Sequence, residues 1–205
     1  TTRPAQLLHM DRIGPARVRS AGGKWYVLVI VDDFSRYSWV FFMEHKSEAF
    51  NHFHDLALRL FNVFPGEMKT VRSDNGLEFK NSSFADFLAK RGIKHQFSSP
   101  HTPQQNGVVE RKNRTLVEMA RTMLDEFGTP RRYWAEAIST ACYVSNRVFL
   151  RSSLKVTSYE LRFGRKPNIS HLRVFGCKCF ILRRACSTSL SRALLMVSFL
   201  VTLLT

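Results

Sequence analysis

Three carboxylates stand where metal-dependent chemistry could use them. Asp11 lies in the extended segment Leu7–Ile13, within "LLHMDRIGP". Asp74 closes the stretch "MKTVRSD" and is followed by Asn75-Gly76. Glu110 is the only acid between Ser98 and Leu116, and Arg111, Lys112 and Arg114 surround it. Each has an ordinary explanation: strand-end aspartates form turns, and a helical glutamate beside basic residues makes weak surface ion pairs. Taken together they permit more. Three carboxylates form an all-oxygen donor set that suits Mg²⁺ or Mn²⁺. Two such ions, ~3.5–4 Å apart, activate an attacking hydroxyl or water and stabilise a leaving oxygen in phosphodiester chemistry. Lysine and arginine nearby would then hold the nucleic-acid backbone, whose charge the carboxylates alone repel. Asp32 and Asp33 fall in a hairpin turn and read as turn formers.

The surrounding pattern supplies elements to position these groups. Leu7–Ile13 reads as a strand, and Trp25–Val31 and Tyr37–Met43 as a hairpin joined through Asp32-Asp33-Phe34-Ser35. Phe50, Phe53, Leu56, Ala57 and Leu60 recur at helical spacing behind Ser47 as N-cap. A strand to Asp74, a helix carrying Phe84, Phe87 and Leu88, and the short strand "IKHQFSS" follow. On the next helix Val109, Leu116, Val117, Met119, Ala120, Met123 and Leu124 share an apolar arc. Glu110 sits at its edge and should point along the sheet rather than into bulk water. A second long helix is expected over Arg131–Phe149, and residues 151–182 read as basic and turn-rich with a strand at their end. The order predicts a mixed α/β fold with a central sheet flanked by helices.

The chain has 205 residues and a formal net charge of +15. That length holds one substantial core, and that charge favours a polyanionic partner, most often nucleic acid. Cys142, Cys177, Cys179 and Cys186 show no zinc spacing and read as reduced thiols of an intracellular protein. The first residues include no signal-like apolar run and no initiator Met, so the chain reads as a piece of something longer. From Arg183 the character changes: Glu160 is the last acid, and Ala193–Thr205 is nearly continuously apolar yet too short to span a bilayer, which needs ~20 residues.

The words "HMDRIGP", "VLVIVDDFSRYSWVFF", "HKSEAF", "RSDNGLEF", "TPQQNGVVERKNRTL", "WAEA" and "GRKPNISHLRVFGCKCF" resemble the integrase catalytic core of copia-type LTR retrotransposons, within the retroviral integrase superfamily. Thirty-five residues separate Asp74 from Glu110, as in the family's catalytic signature, with Asp11 as the first aspartate. The resemblance implies an RNase H-like fold with a five-stranded mixed sheet. It implies two Mg²⁺ or Mn²⁺ ions held by Asp11, Asp74 and Glu110. The implied reaction is 3′-end processing followed by strand transfer, that is, DNA integration by a homo-oligomer acting in the nucleus, with no membrane partner. Gln105, Asn106, Lys112 and Arg114 match positions that border the site and contact DNA, and Asn106 also suits the helix cap. Ser99–Gly107 would be a mobile flap before the glutamate helix. Leu77 stands where the family has a second glycine, which predicts strain in that turn.

The expected organisation is a catalytic core over 1–165, a basic post-core segment over 166–182, and an aberrant tail over 183–205 outside the fold, of the kind a frameshift or misread splice junction produces. Two other readings compete: a catalytically inactive nucleic-acid-binding remnant, and an RNase H-like nuclease acting on RNA–DNA hybrids. The flanking words speak against the nuclease.

Overall fold

The computed structural model describes residues 1–98, 106–152, 154–182 and 194–198. Its centre is a five-stranded sheet of β1 (Leu7–Ile13), β2 (Tyr26–Asp32), β3 (Ser38–Met43), β4 (Thr70–Ser73) and β5 (Lys94–Phe97), ordered β3-β2-β1-β4-β5. β1, β2 and β3 pair antiparallel, and β4 joins β1, and β5 joins β4, in parallel. This is the mixed sheet expected for an RNase H-like fold. The helices are α1 (Ala49–Val63), α2 (Ser82–Ala89), α3 (Gly107–Glu126), α4 (Trp134–Arg147) and α5 (Ser158–Phe163).

Strand alternation divides the molecule into two cores. Leu8 and Met10 of β1, Leu28 and Ile30 of β2, and Val71 of β4 pack with Phe53, Leu56 and Leu60 of α1 and Phe84 and Leu88 of α2. Val27, Val29 and Val31 point the other way, onto Val109, Leu116, Ala120 and Leu124 of α3 and Ala137, Ile138 and Ala141 of α4. Asp11 is registered opposite Val29. The strand period therefore sends its carboxylate to the α3 side of the sheet.

Several expectations change in detail. The chain enters α1 through a 3-10 turn, Lys46–Glu48, so Ser47 lies inside the turn rather than capping the helix. Glu48 precedes α1 without a side-chain cap bond of its own, and its Oε1 accepts instead from the amides of Glu44 (2.9 Å) and His45 (2.6 Å) at the entrance to the 3-10 turn. The helix expected from Arg131 begins with a 3-10 turn, and α4 proper ends at Arg147. α5 was not legible as a helix, although Thr157-x-x-Glu160 forms a reciprocal capping box and Gly164 closes the helix at φ +67°. Its Arg162 lies over Trp39 (4.7 Å) and Tyr37 (5.2 Å), fastening α5 to β3.

Asp32 and Asp33 are turn groups, as read. Asp32 is fully buried and accepts from the amides of Ala5 and Ser35, while Asp33 pairs with His9 at 3.0 Å and Arg36 at 3.2 Å. Beyond α5, β6 (Lys178–Leu182) and β7 (Leu194–Ser198) form a separate antiparallel pair. Five residues of the tail thus have regular backbone structure outside the main sheet. The rest of 183–205 lies outside the described residues, as do Gln105 and all but the last two residues of the expected flap. Among the described residues no helix is long and apolar enough to cross a membrane.

Candidate active site

Asp11 is partly buried on β1, and both of its oxygens are engaged. The amide of Arg12 donates to Oδ1 at 2.8 Å, and Asn113 Nδ2, from α3, donates to Oδ2 at 2.7 Å. Burial and the negative charges of Asp74 and Glu110 push the Asp11 pKa up to about 6, against the smaller opposing pull of the Arg12 amide and guanidinium. Asp74 and Glu110, from elements far apart in sequence, thus both add negative charge to the surroundings of Asp11. A buried carboxylate beside two like charges resists ionisation.

Asp74 follows the last residue of β4, and its loop is tightly built. The amide of Gly76 donates to Asp74 Oδ1 at 3.0 Å. A Cβ at Gly76 would meet Glu78 Oε2 at 2.8 Å and Asp74 Oδ1 at 3.0 Å, so any larger residue there would push on both carboxylates. Glu78 is latched to Arg12 at 2.5 Å, with side-chain exposures of 7% and 18%. Burial alone would raise the Glu78 pKa, but the Arg12 bond and charge hold it below the usual carboxylate value. The latch ties the Asp74 loop to the residue next to Asp11. The strain expected at Leu77 is not found: its φ is not positive, and its side chain is 84% exposed, free of the crowding at Gly76.

On α3 the helical phase sorts the expected residues. With Glu110 as origin, Asn113 and Arg114 lie within about 60° of it, whereas Lys112 lies about 200° away. Glu110 is exposed on the first turn, not held at the rim of the core as expected, although its neighbour Val109 on the same turn is fully buried against β2. Arg114 is exposed on the same stripe. Lys112 is turned toward α4 instead, its Nζ 3.4 Å from Ser145 Oγ, and burial lowers its pKa. Asn106 precedes α3 but makes no side-chain cap; it is buried, and its Oδ1 has no partner. Its φ of −105° and ψ of 4° depart from the extended backbone usual at an N-cap, which explains the missing bond.

The structure therefore places Asp11 within the electrostatic influence of Asp74 and Glu110 and adds Asn113 as its hydrogen-bond donor, with Arg114 exposed on the Glu110 stripe. Asn113, Arg12 and Glu78 escaped the sequence reading. Asn113 had a signal, since it follows Glu110 at i+3 and shares its stripe. The Arg12–Glu78 latch had none, because 66 residues separate the partners. Among the described residues no group of three His, Cys, Asp or Glu side chains is close enough to hold an ion. The carboxylates share a field without meeting at a point.

Comparison with known proteins places these features. The Integrase core domain matches residues 1–103. The chain is 36% identical over 178 residues, 85% of its length, to the retrovirus-related Pol polyprotein from transposon TNT 1-94 of Nicotiana tabacum. It is 34% identical over 180 residues, 88% of its length, to that from transposon RE2 of Arabidopsis thaliana. It spans only 13% and 12% of those two polyproteins. The fold resembles the trimeric form of the HTLV-2 integrase catalytic core domain in complex with magnesium, with a TM-score of 0.59 at 19% identity over 78% of this chain and 97% of that one. A simian T-cell lymphotropic virus intasome in complex with the PP2A regulatory subunit B56 gamma gives 0.64 at 18% identity, over 95% of this chain and 68% of that one.

Proposed function

The chain belongs to the integrase core domain family, and from that premise we propose that it is the strand-transferring centre of a retrotransposon Pol polyprotein. In this reading Asp11, Asp74 and Glu110 hold Mg²⁺ or Mn²⁺. When bound, such ions activate the attacking water or 3′-hydroxyl and offset charge on the phosphodiester. The chain's own residues do the rest. Asn113 and the Arg12 amide fix both Asp11 oxygens, and the Gly76 amide fixes Asp74 Oδ1. Arg114, on the Glu110 stripe, meets DNA phosphate; Gln105 and Asn106 are assigned to the same border.

The observation that carries the reading is the setting of Asp11, whose two oxygens are held by the Arg12 amide and Asn113 Nδ2 while burial and the charges of Asp74 and Glu110 raise its pKa. A site with this much uncompensated negative charge and only oxygen donors fits a hard divalent cation. The magnesium complex of the HTLV-2 core accords with this choice, and its trimeric and dimeric forms, with the simian intasome, support assembly of this chain as a homo-oligomer on DNA. The catalytic fold is assigned to 1–165, with 166–182 as a basic extension and 183–205 outside it.

One observation favours an inactive DNA-binding remnant: Glu110 is exposed, and no ion-holding group of three is closed among the described residues. Strand transfer on the element's terminal DNA separates the two. With Mg²⁺, the wild-type chain should join 3′ ends to target duplex, and Asp74→Asn should lower that rate at least ~10³-fold, as loss of a metal-held charge does at two-metal sites, with DNA binding kept. Binding without Mg²⁺-dependent joining in the wild type would leave the remnant.

A further inference from the structure

On the far side of α3 from Glu110 lies a cleft of about 380 Å³ that the carboxylate site does not use. Four cationic side chains line it, Arg36, Arg111, Lys112 and Arg151, together with the hydroxyl-bearing Thr115 and Ser152. No carboxylate lines it among the described residues. The cations come from three regions: the turn between β2 and β3, the first turns of α3, and the segment after α4.

Little inside the protein neutralises them. Arg36 reaches Asp33 at 3.2 Å, but Asp33 also serves His9 and Thr1. Arg151 donates to the carbonyl of Phe34, and Lys112 reaches only the neutral Ser145 hydroxyl at 3.4 Å. The Arg111 guanidinium has no hydrogen-bonding or charged partner among the described residues, and it folds back toward Gly107 at the start of α3. Positive side chains gathered at a helix N-terminus add to its positive dipole end, which disfavours them unless an anion is present. Lys112 adds a second cost, since its partly buried ammonium meets a neutral hydroxyl and no carboxylate among the described residues. An arrangement that is unfavourable when empty and favourable with an anion is what a binding site requires.

We propose that this cleft holds a backbone phosphate of the nucleic acid, as a second anchor separate from the carboxylate site. Its lining offers no ring for base stacking and no acceptor side chain beyond two hydroxyls, so it reads charge rather than sequence. α3 stands between cleft and carboxylates, a width of ~10–12 Å. The inference rests on the proposed function only for the identity of the polyanion as DNA.

The test is the salt dependence of duplex DNA binding by the full chain, read by fluorescence anisotropy without divalent metal. Lys112→Met keeps the packing stem and removes the charge. Its slope of log K against log salt should shrink by about 0.9, with roughly tenfold weaker binding at low salt. Its melting temperature should hold or rise, because a buried cation has been replaced by an apolar isostere. Arg111→Gln should reproduce the slope change from a position where misfolding is no concern, and Arg59→Gln on α1 should leave the slope unchanged. Unchanged slopes in both cleft variants would overturn the proposal, as would competition by inorganic phosphate without any effect of the variants on DNA. Reduced slopes in a chain that performs no strand transfer would uphold the cleft and remove the catalytic reading. Unchanged slopes in a chain that does transfer strands would do the reverse.

Discussion

The two faces of the sheet are built from different materials. Under α1 and α2 the core is aromatic: Phe84 contacts Phe50 at 5.1 Å, Phe53 at 5.3 Å and Phe79 at 5.9 Å between ring centroids. Under α3 and α4 it is valine and alanine, threaded with polar groups. Asn146 accepts from the Ser38 amide and donates to the Ser38 carbonyl, Asn113 holds Asp11, and Lys112 reaches Ser145. Two asparagine oxygens associated with α3, on Asn106 and Asn113, are buried without a partner. Hydrocarbon packing gains free energy in proportion to area and asks nothing of direction. A buried polar group must be aimed, and an unpartnered one lowers stability. The first face therefore supplies the stability that the second one spends on orientation.

The largest expected effect breaks this division on its stable side. Phe53→Ala removes a fully buried ring and should cost about 3–5 kcal/mol in chemical denaturation, yet leave strand transfer per folded molecule unchanged. A fall in activity per folded molecule would mean that the aromatic face also positions the site.

A smaller effect is expected at the latch. Arg12→Ala strands the Glu78 carboxylate and should cost about 2–3 kcal/mol. Adding Glu78→Gln should recover part of that, so the double variant is more stable than the single losses sum to. Strict additivity would show that the pair contributes nothing jointly to the Asp74 loop.

The smallest effect sharpens the comparison by pH. The native pKa of Asp11 is raised from the ordinary 3.8 to about 6, so between those values the native state holds more protons than the unfolded one. Its charge therefore lowers stability progressively as pH rises through that window, and the loss is complete above it. Asp11→Asn removes the charge and should stabilise by about 1–2 kcal/mol at pH 8, after allowance for solvent screening on its open side. The gain should vanish near pH 4. Melting curves across pH measure this, and a gain that grows toward acid would refute the shift.

The fold and the site were legible to different depths. β1, β2 and β3 could be read because their apolar residues alternate, whereas Asp74 and Glu110 were singled out by the spacing that the resemblance to the integrase family carries. The inward turn of Lys112 was also readable, since 3.6 residues per turn set it opposite Glu110, but charge alone suggested exposure. Neither the Arg12–Glu78 latch nor the cleft was readable, because both depend on the docking of segments distant in sequence. α5 was hidden by its length: a six-residue helix shows less than two turns of periodicity, and only Thr157, Glu160 and Gly164 announce it.

The alternation of β1 has a consequence in the arithmetic of insertion and deletion. Met10 belongs to the aromatic core and Asp11, the next residue, to the site. Parity alone separates a structural side chain from a charged one. Losing or gaining one residue within Leu7–Met10, with β1 still paired to β2 through Ile13, would exchange which of the upstream residues face each side. The same change between Asp11 and Ile13 would drive the Asp11 carboxylate in among the phenylalanines or pull the strand out of register. Two residues at once would restore the phase but displace Asp11 along the sheet by ~6.8 Å, beyond the reach of Asn113. This strand admits replacement of its residues but no change in their number, whereas the Pro15–Trp25 connection beside it, outside any strand, is under no such parity rule.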